Sequence, residues 1–177
     1  MISLDMTGLN ALLSKLDKVE DGVEKACTDG VMQIAKKTQA QAKQLTPVHF
    51  GELRESIKTR FRTESGLIIG EVFTNKKYAP YVEFGTGPNG QKSAPSLTEG
   101  LQITYSQTGW IIPASAMDVE QAEGYGFGVL KNKDDKVIGY ATNGQRAQPY
   151  MIPAMNYAEK IAEDEVKKAI QKVLEGV

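Results

Sequence analysis

Tyr78-Ala-Pro-Tyr-Val-Glu-Phe-Gly-Thr-Gly87 packs three aromatics, one proline, one carboxylate and two glycines into ten residues. That is too rigid and too apolar for an ordinary loop. It is also too polar, and too broken by Pro80, for a core strand. Such a segment holds a fixed turn against something else, either its own core or a neighbouring subunit. Glu83, set between Val82 and Phe84, is either a solvated glutamate on the polar face or a partly buried one, and a buried carboxylate needs hydrogen bonds or a cation.

Upstream of this stretch the periodicity is helical. Leu9, Leu12, Leu13, Leu16 and Val19 form one stripe over residues 7–20. Gly22 is expected to interrupt it. A longer helix then runs from about Asp21 to Leu45, with Val23, Cys27, Val31, Ile34, Ala35, Thr38 and Ala42 on its apolar face. Pro47 ends it, because proline biases the preceding residue away from helix. Gly51 to Ile57 reads as a helical turn, with Leu53 and Ile57 on one face. Ile57, Thr59, Phe61 and Thr63 then alternate with Lys58, Arg60 and Arg62, the pattern of a half-buried strand with a basic outer face. Glu64-Ser65-Gly66 turns the chain into a partner strand, Leu67–Thr74.

Downstream, residues 88–124 read as a loop-rich insertion between two halves of one sheet. It holds two short extended pieces, Gln102–Tyr105 and Thr108–Ile112, and an acidic helical turn at Met117–Glu123. Its Trp110 is either a satellite core residue or an interface anchor. Asn132-Lys-Asp-Asp135 predicts a hairpin turn between Tyr125–Lys131 and Lys136–Thr142. A final helix buries Met155, Ala158, Ala162, Val166, Ala169, Ile170 and Val173, with Pro149 or Pro153 in or before its first turn. The fold class is α+β: a small, mostly antiparallel sheet packed against a long N-terminal helix and a C-terminal helix. Residues 1–177 are expected to form a single domain.

The composition limits the function classes. The 177 residues carry 21 Lys and Arg against 22 Asp and Glu. A dedicated nucleic-acid binder would show a basic excess. The single cysteine, Cys27, allows no internal disulfide and fits synthesis in a reducing cytoplasm. No signal peptide is read at the N-terminus, and no apolar run approaches the ~18 residues of a membrane span.

Motifs that could carry catalysis or bind cofactors are weak. Gly85-Thr-Gly-Pro-Asn-Gly90 matches G-x-G-x-x-G, but a proline lies inside it and no acidic residue follows at the required distance. We read it as a turn, and no cofactor is expected. Gly124-Tyr-Gly-Phe-Gly128 reads as a closely packed strand. His49 is the only histidine, so a His-rich metal site is excluded. A Cys27–His49 nucleophilic pair is formally possible, although Cys27 falls on an apolar stripe, where cysteine behaves as a small hydrophobe. Asp134 and Asp135 read as solvated turn residues.

Two further stretches share the style of the first: Leu45-Thr-Pro-Val-His-Phe-Gly-Glu-Leu-Arg-Glu-Ser-Ile57 and Gly144-Gln-Arg-Ala-Gln-Pro-Tyr-Met-Ile-Pro-Ala-Met155. In order, the three resemble the head–tail connector (tail-completion or neck) proteins of long-tailed bacteriophages, the group of the lambdoid gene-product-ten. The matching positions are Thr46, Pro47, Gly51, Leu53, Arg54, Ser56 and Ile57; Tyr78, Ala79, Tyr81, Glu83, Phe84, Gly85 and Thr86; and Ala147, Pro149, Pro153 and Ala154. His49 and Tyr150 depart from the pattern. The resemblance covers roughly residues 20–90 and 140–175. It implies a structural virion protein at the head–tail junction, a homo-oligomeric ring, commonly of six subunits, through which DNA passes without specific binding. Its partners would be a head-side connector or stopper and a tail-side tube or terminator protein. Arg54, Tyr81, Glu83, Phe84, Gly85, Thr86, Gly87 and Trp110 are the expected subunit or partner contacts, with Arg54 as a partner for Glu83. The other readings are a tail terminator or minor tail protein and, in a different class, a small hydrolase using Cys27 and His49.

Overall fold

The computed structural model describes residues 7–47, 51–96 and 100–175, with side chains from Gly22 onward. His49 and the Leu9–Val19 stripe therefore lie outside the described side chains. The chain divides into two compact units, Met1–Asn75 with Tyr150–Val177, and Lys76–Pro149. Its class is α+β, as the periodicities predict.

In the first unit α1 spans Thr7–Leu45 and α6, the last helix, spans Met151–Leu174. Gly22 does not interrupt α1, contrary to expectation. A glycine inside a helix costs only about 1 kcal/mol relative to alanine, and here it serves packing. A Cβ on Gly22 would lie 2.6 Å from Val173 Cγ1, and one on Gly30 would lie 3.3 Å from the Val166 Cα. Rising numbers on α1 meet falling numbers on α6, so the two helices run antiparallel. Ala26, Gly30, Ala35, Thr38 and Ala42 are buried on the inner stripe of α1. On α6 the stripe from Ala158 to Val173 is half-buried, but Met155 is exposed rather than packed. The inward position at that end belongs to Ala154, one residue earlier on the helix. Lys37 Nζ reaches Glu165 Oε2 at 2.7 Å, tying the pair at its edge.

Pro47 stops α1 as predicted, and both the amide and the hydroxyl of Thr46 donate to the Ala42 carbonyl. Helix α2 (Gly51–Ser56) buries Leu53 completely, and Ile57 follows it into the core. Gln39 Nε2 donates to the Ile57 carbonyl at 2.8 Å, so the α2–β1 junction is fixed to α1. Strands β1 (Lys58–Glu64) and β2 (Leu67–Phe73) form a regular antiparallel hairpin. Its two turn residues, Ser65 and Gly66, both have positive φ, the pattern of a tight primed turn. Gly70 is the close contact to α1, where an added Cβ would sit 3.0 Å from Val31 and 3.2 Å from Ala35. β1 does not show the half-buried alternation expected: only Thr59 is half-buried, and Phe61 and Thr63 are exposed. Lys58–Phe73 pairing places Arg60 opposite Glu71, and the Arg60 guanidinium stacks 5.0 Å from the Phe73 ring.

The second unit contains α3 (Ala79–Phe84), α4 (Gly87–Ser93), β3 (Trp110–Pro113), a 3-10 turn at Ala114–Ala116, α5 (Val119–Gly124), β4 (Gly128–Lys131) and β5 (Val137–Thr142). Four expectations change here. Gly124–Gly128, read as a closely packed strand, is the end of α5 and an open turn with positive φ at Gly126, and β4 begins only at Gly128. The residues after Gly85 are helical rather than loop, because Pro88 sits in a first turn, where its missing N–H is not needed. Gln102–Tyr105 forms no strand. Finally, the hairpins are not halves of one sheet: β1–β2 is a two-stranded sheet, while β3 pairs with β5 in a separate sheet of order β3-β5-β4. Part of the 88–124 segment is thus a sheet strand. The predicted acidic turn is α5, capped by a reciprocal pair: the Gln121 amide donates to Asp118 Oδ1 and the Asp118 amide faces Gln121 Oε1. The predicted β4–β5 turn is closed by Asn132 Oδ1, which accepts from the amides of Asp134 and Lys136.

Candidate functional site

Helix α3 is too short to stand alone, yet its faces are sharply divided. Ala79, Val82 and Glu83 point inward, and Glu83 is 4% exposed. Tyr81, on the opposite side, is 59% exposed. Among the described residues no buried side-chain nitrogen or oxygen lacks a hydrogen-bond partner, so the Glu83 carboxylate is satisfied where it lies. The helix stops at Gly85, with φ 71° and ψ −174°, a region of backbone space that is essentially glycine's alone.

What holds this corner is the return of the chain at residues 143–148. The Thr86 amide donates to the Gln145 carbonyl at 2.9 Å, and the Gln145 amide donates back to Thr86 Oγ1 at 3.0 Å. Asn89 donates twice, from its amide to Asn143 and from Nδ2 to the Gly144 carbonyl. The Gln148 amide reaches the Val82 carbonyl at 2.8 Å, and the Ala147 amide reaches Ser93 Oγ at 2.8 Å. Gln145 Nε2 donates to the Tyr81 carbonyl at 2.6 Å. The second and third sequence motifs are therefore two sides of one clamp, closed mainly by backbone groups.

The glycines make this approach possible. A Cβ on Gly85 would lie 2.6 Å from the Ala147 nitrogen and 2.7 Å from the Gln145 oxygen. On Gly87 it would lie 2.8 Å from the Asn143 oxygen and 2.8 Å from the Trp110 ring. The G-x-G-x-x-G glycines thus face their own chain, although Gly87 and Gly90 lie in helix α4 and not in the turn that was read. Trp110, placed far from the motif in sequence, is brought against it by β3 and remains 40% exposed. Beside it lies a groove of about 470 Å³, lined by Pro80, Tyr81, Phe84, Ile103, Tyr105 and Trp110. Tyr105 closes one end by donating its hydroxyl to the Phe84 carbonyl at 2.9 Å, and burial pushes its phenol up from its ordinary value.

The structure thus joins Tyr81, Glu83, Phe84, Gly85, Thr86, Gly87 and Trp110 in one place. Arg54 is exposed on α2, in the other unit. Sequence reading missed Asn89, Ser93, Tyr105 and Gln145; the positive φ of Gly144 sits inside a motif it did single out. Among the described residues no group of three or more His, Cys, Asp or Glu could hold a metal. Cys27 is half-buried on α1, and Asp135 pairs with Lys131 at 3.0 Å in its turn. No described helix is long and apolar enough to cross a membrane.

A family model, described as "Bacteriophage HK97-gp10, putative tail-component", matches this chain over α1, α2, the β1–β2 hairpin and α3. Residues 10–85 are HK97-gp10-like. The match ends at Gly85, the residue on which the clamp turns, so it takes in the first motif and the second up to Gly85, and leaves Thr86, Gly87 and the third motif outside. The resemblance read from three motifs therefore stands on the matched stretch, and the family is one of bacteriophage tail components. No curated protein and no solved structure matches the chain.

Proposed function

We propose that this chain is a structural virion protein of the phage head–tail junction, closing into a ring around the DNA channel. The observation that carries this reading is the clamp: a rigid corner, in a chain with an HK97-gp10-like N-terminal part, that presents Tyr81 and Trp110 outward beside an apolar groove. Rigid, half-exposed aromatics are the usual anchors of protein–protein contacts, since little side-chain entropy is lost when they are covered.

The mechanism is geometric rather than chemical. Each copy offers one surface to the next in a head-to-tail contact, and a fixed rotation closes the ring, commonly of six copies in the family it resembles. Tyr81 and Trp110 supply contact area. Phe84, Gly85, Thr86 and Gly87 set the corner's shape, and Glu83 holds α3 from within. Arg54, without an ion-pair partner among the described residues, offers a cation to the neighbouring copy. Head-side connector or stopper proteins and tail-side tube or terminator proteins meet the two ring faces. The near-neutral net charge of −1 suits DNA that slides through, because each neutralised phosphate would add salt-sensitive affinity.

Negative-stain images and native mass spectrometry of the purified chain should show a closed ring, and Tyr81→Ser with Trp110→Ser should abolish it while circular dichroism stays unchanged. Glu83→Gln and Arg54→Ala should impair ring and particle assembly more than folding. Wild-type protein that never closes, or virions assembled without it, would end this reading. A tail terminator would instead be recovered on isolated tail tubes that lack heads.

A further inference from the structure

We infer that neighbouring copies meet through complementary charge, the basic sector of one copy around α2 and β1 against the acidic α5 segment of the next. This inference rests on the self-assembly reading above and names its surfaces.

The chain is nearly neutral overall, yet its charges are segregated along the sequence. Between Gly30 and Thr63 there are seven lysines and arginines against two glutamates. Between Ser93 and Leu130 every charged residue is acidic: Glu99, Asp118, Glu120 and Glu123. On the basic side, Lys37, Arg60 and Arg62 have ion-pair partners within the chain. Lys36, Lys43, Arg54 and Lys58 have none among the described residues, and all but Lys43 are fully exposed. Gln39 fixes the α2–β1 junction to α1, so this sector is a rigid surface. On the acidic side Asp118 caps α5, while Glu120 and Glu123 are exposed and unpaired among the described residues.

Each sector also carries an apolar element that the other can cover. α5 leads to a groove of about 400 Å³ of mixed character, lined by Asn89, Thr142 and Asn143 as well as Trp110, Ile111 and Tyr125, with Ile111 63% and Tyr125 67% exposed. The basic sector ends in the β1–β2 hairpin, whose tip presents Leu67 at 66% exposure. The tip that carries Leu67 stands opposite Glu64 and the groove mixes polar with apolar groups, so Leu67 against Ile111 and Tyr125 is a small apolar part of a contact carried mainly by charge. Because knob and groove lie on different parts of the same chain, the contact is heterologous and fits head-to-tail assembly. Nucleic acid could satisfy the basic sector but would leave the acidic one uncovered; a second copy satisfies both.

The test is a charge swap read by analytical ultracentrifugation, with folding checked by circular dichroism. Self-association of the wild type should weaken by about tenfold or more between 50 and 500 mM salt, as expected for exposed charges. Glu120→Lys with Glu123→Lys should abolish it, and so should Lys36→Glu with Lys58→Glu. The quadruple variant, in which both sectors are inverted, should restore it. A ring that forms regardless of salt and of both double variants overturns this inference and leaves the ring reading standing. A charge-dependent assembly that stops at pairs upholds the contact and removes the ring. A wild-type chain that stays single at every concentration overturns both. A Lys36→Glu, Lys58→Glu variant that loses affinity for a 20-base-pair duplex while assembling normally overturns this inference alone, since the basic sector would then serve nucleic acid.

Discussion

At Gly22 and Gly30, two helices approach so closely that an added Cβ would press on valine side chains or on one Cα. At Gly85 and Gly87, two backbones approach so closely that an added Cβ would press on peptide nitrogens and oxygens. Both regions depend on glycine, but for different reasons. The α1–α6 pair is held by apolar stripes of fixed period, with an edge ion pair, and can adjust by sliding or by turning a side chain. The clamp is held by directional hydrogen bonds between segments nearly sixty residues apart, and a peptide group cannot move aside without losing its partner. A tight fit between side-chain surfaces therefore tolerates change in proportion to volume, while a tight fit between backbones is close to all-or-none.

The sharpest way to break this comparison is Gly85→Val. It places a β-branched residue at φ 71° and drives its Cβ into Ala147 and Gln145. Backbone strain and overpacking together should cost about 4 kcal/mol. Hydrogen exchange should show lost protection in residues 79–93 and 143–148, with α1 and α6 unchanged. Protection retained in the clamp would show that the two regions do not differ as argued.

Gly30→Leu tests the other side with a smaller effect. The helix propensity of leucine offsets part of the crowding against Val166 and Ala169. The net loss should be about 2 kcal/mol in urea denaturation, with exchange rising along α1 and α6 only. The smallest effect concerns the ion pair at the edge of that helix contact. Hydrogen bonds from Lys37, and then from Lys168, hold the Glu165 carboxyl below its ordinary value of 4.5. A carboxyl lowered in the folded state stabilises fully above that ordinary value and loses the contribution as pH falls through the folded one. The urea midpoint of the wild type should therefore drop between pH 5 and 3 slightly more than that of Glu165→Gln, and 1 M salt should shrink the difference.

Much of the helical unit was legible in sequence because its information is local. The spacing of Val31, Ala35, Thr38 and Ala42 sets the α1 face, Pro47 ends the helix, and Ser65-Gly66 closes the hairpin. The apolar face of α6 was legible too, but Met155 shows its limit: periodicity fixes a stripe to within one position, and contact decides its edge. Gly22 was misread because glycine's low propensity is a local signal, and only the approach of Val173 explains why it is there. In the second unit the acidic helical turn that became α5 was legible, whereas Ala79–Phe84 was read only as a fixed turn and is a helix. Ser93, Asn89 and Gln145 carried none, because a backbone partner fifty or more residues away leaves no spacing to read, and the partner of Tyr105, 21 residues away, is no more legible.

By itself the sequence determined the α+β class, many element positions and, over residues 10–85, a likeness to a phage tail-component family, since side-chain periodicity and turn chemistry act over a few residues. Only the tertiary structure decided that the hairpins belong to separate sheets, that the second and third motifs close on each other, and that Trp110 stands beside Gly87. Those facts depend on which distant backbone donors and acceptors are brought within about 3 Å, a choice made by the packing of the chain as a whole.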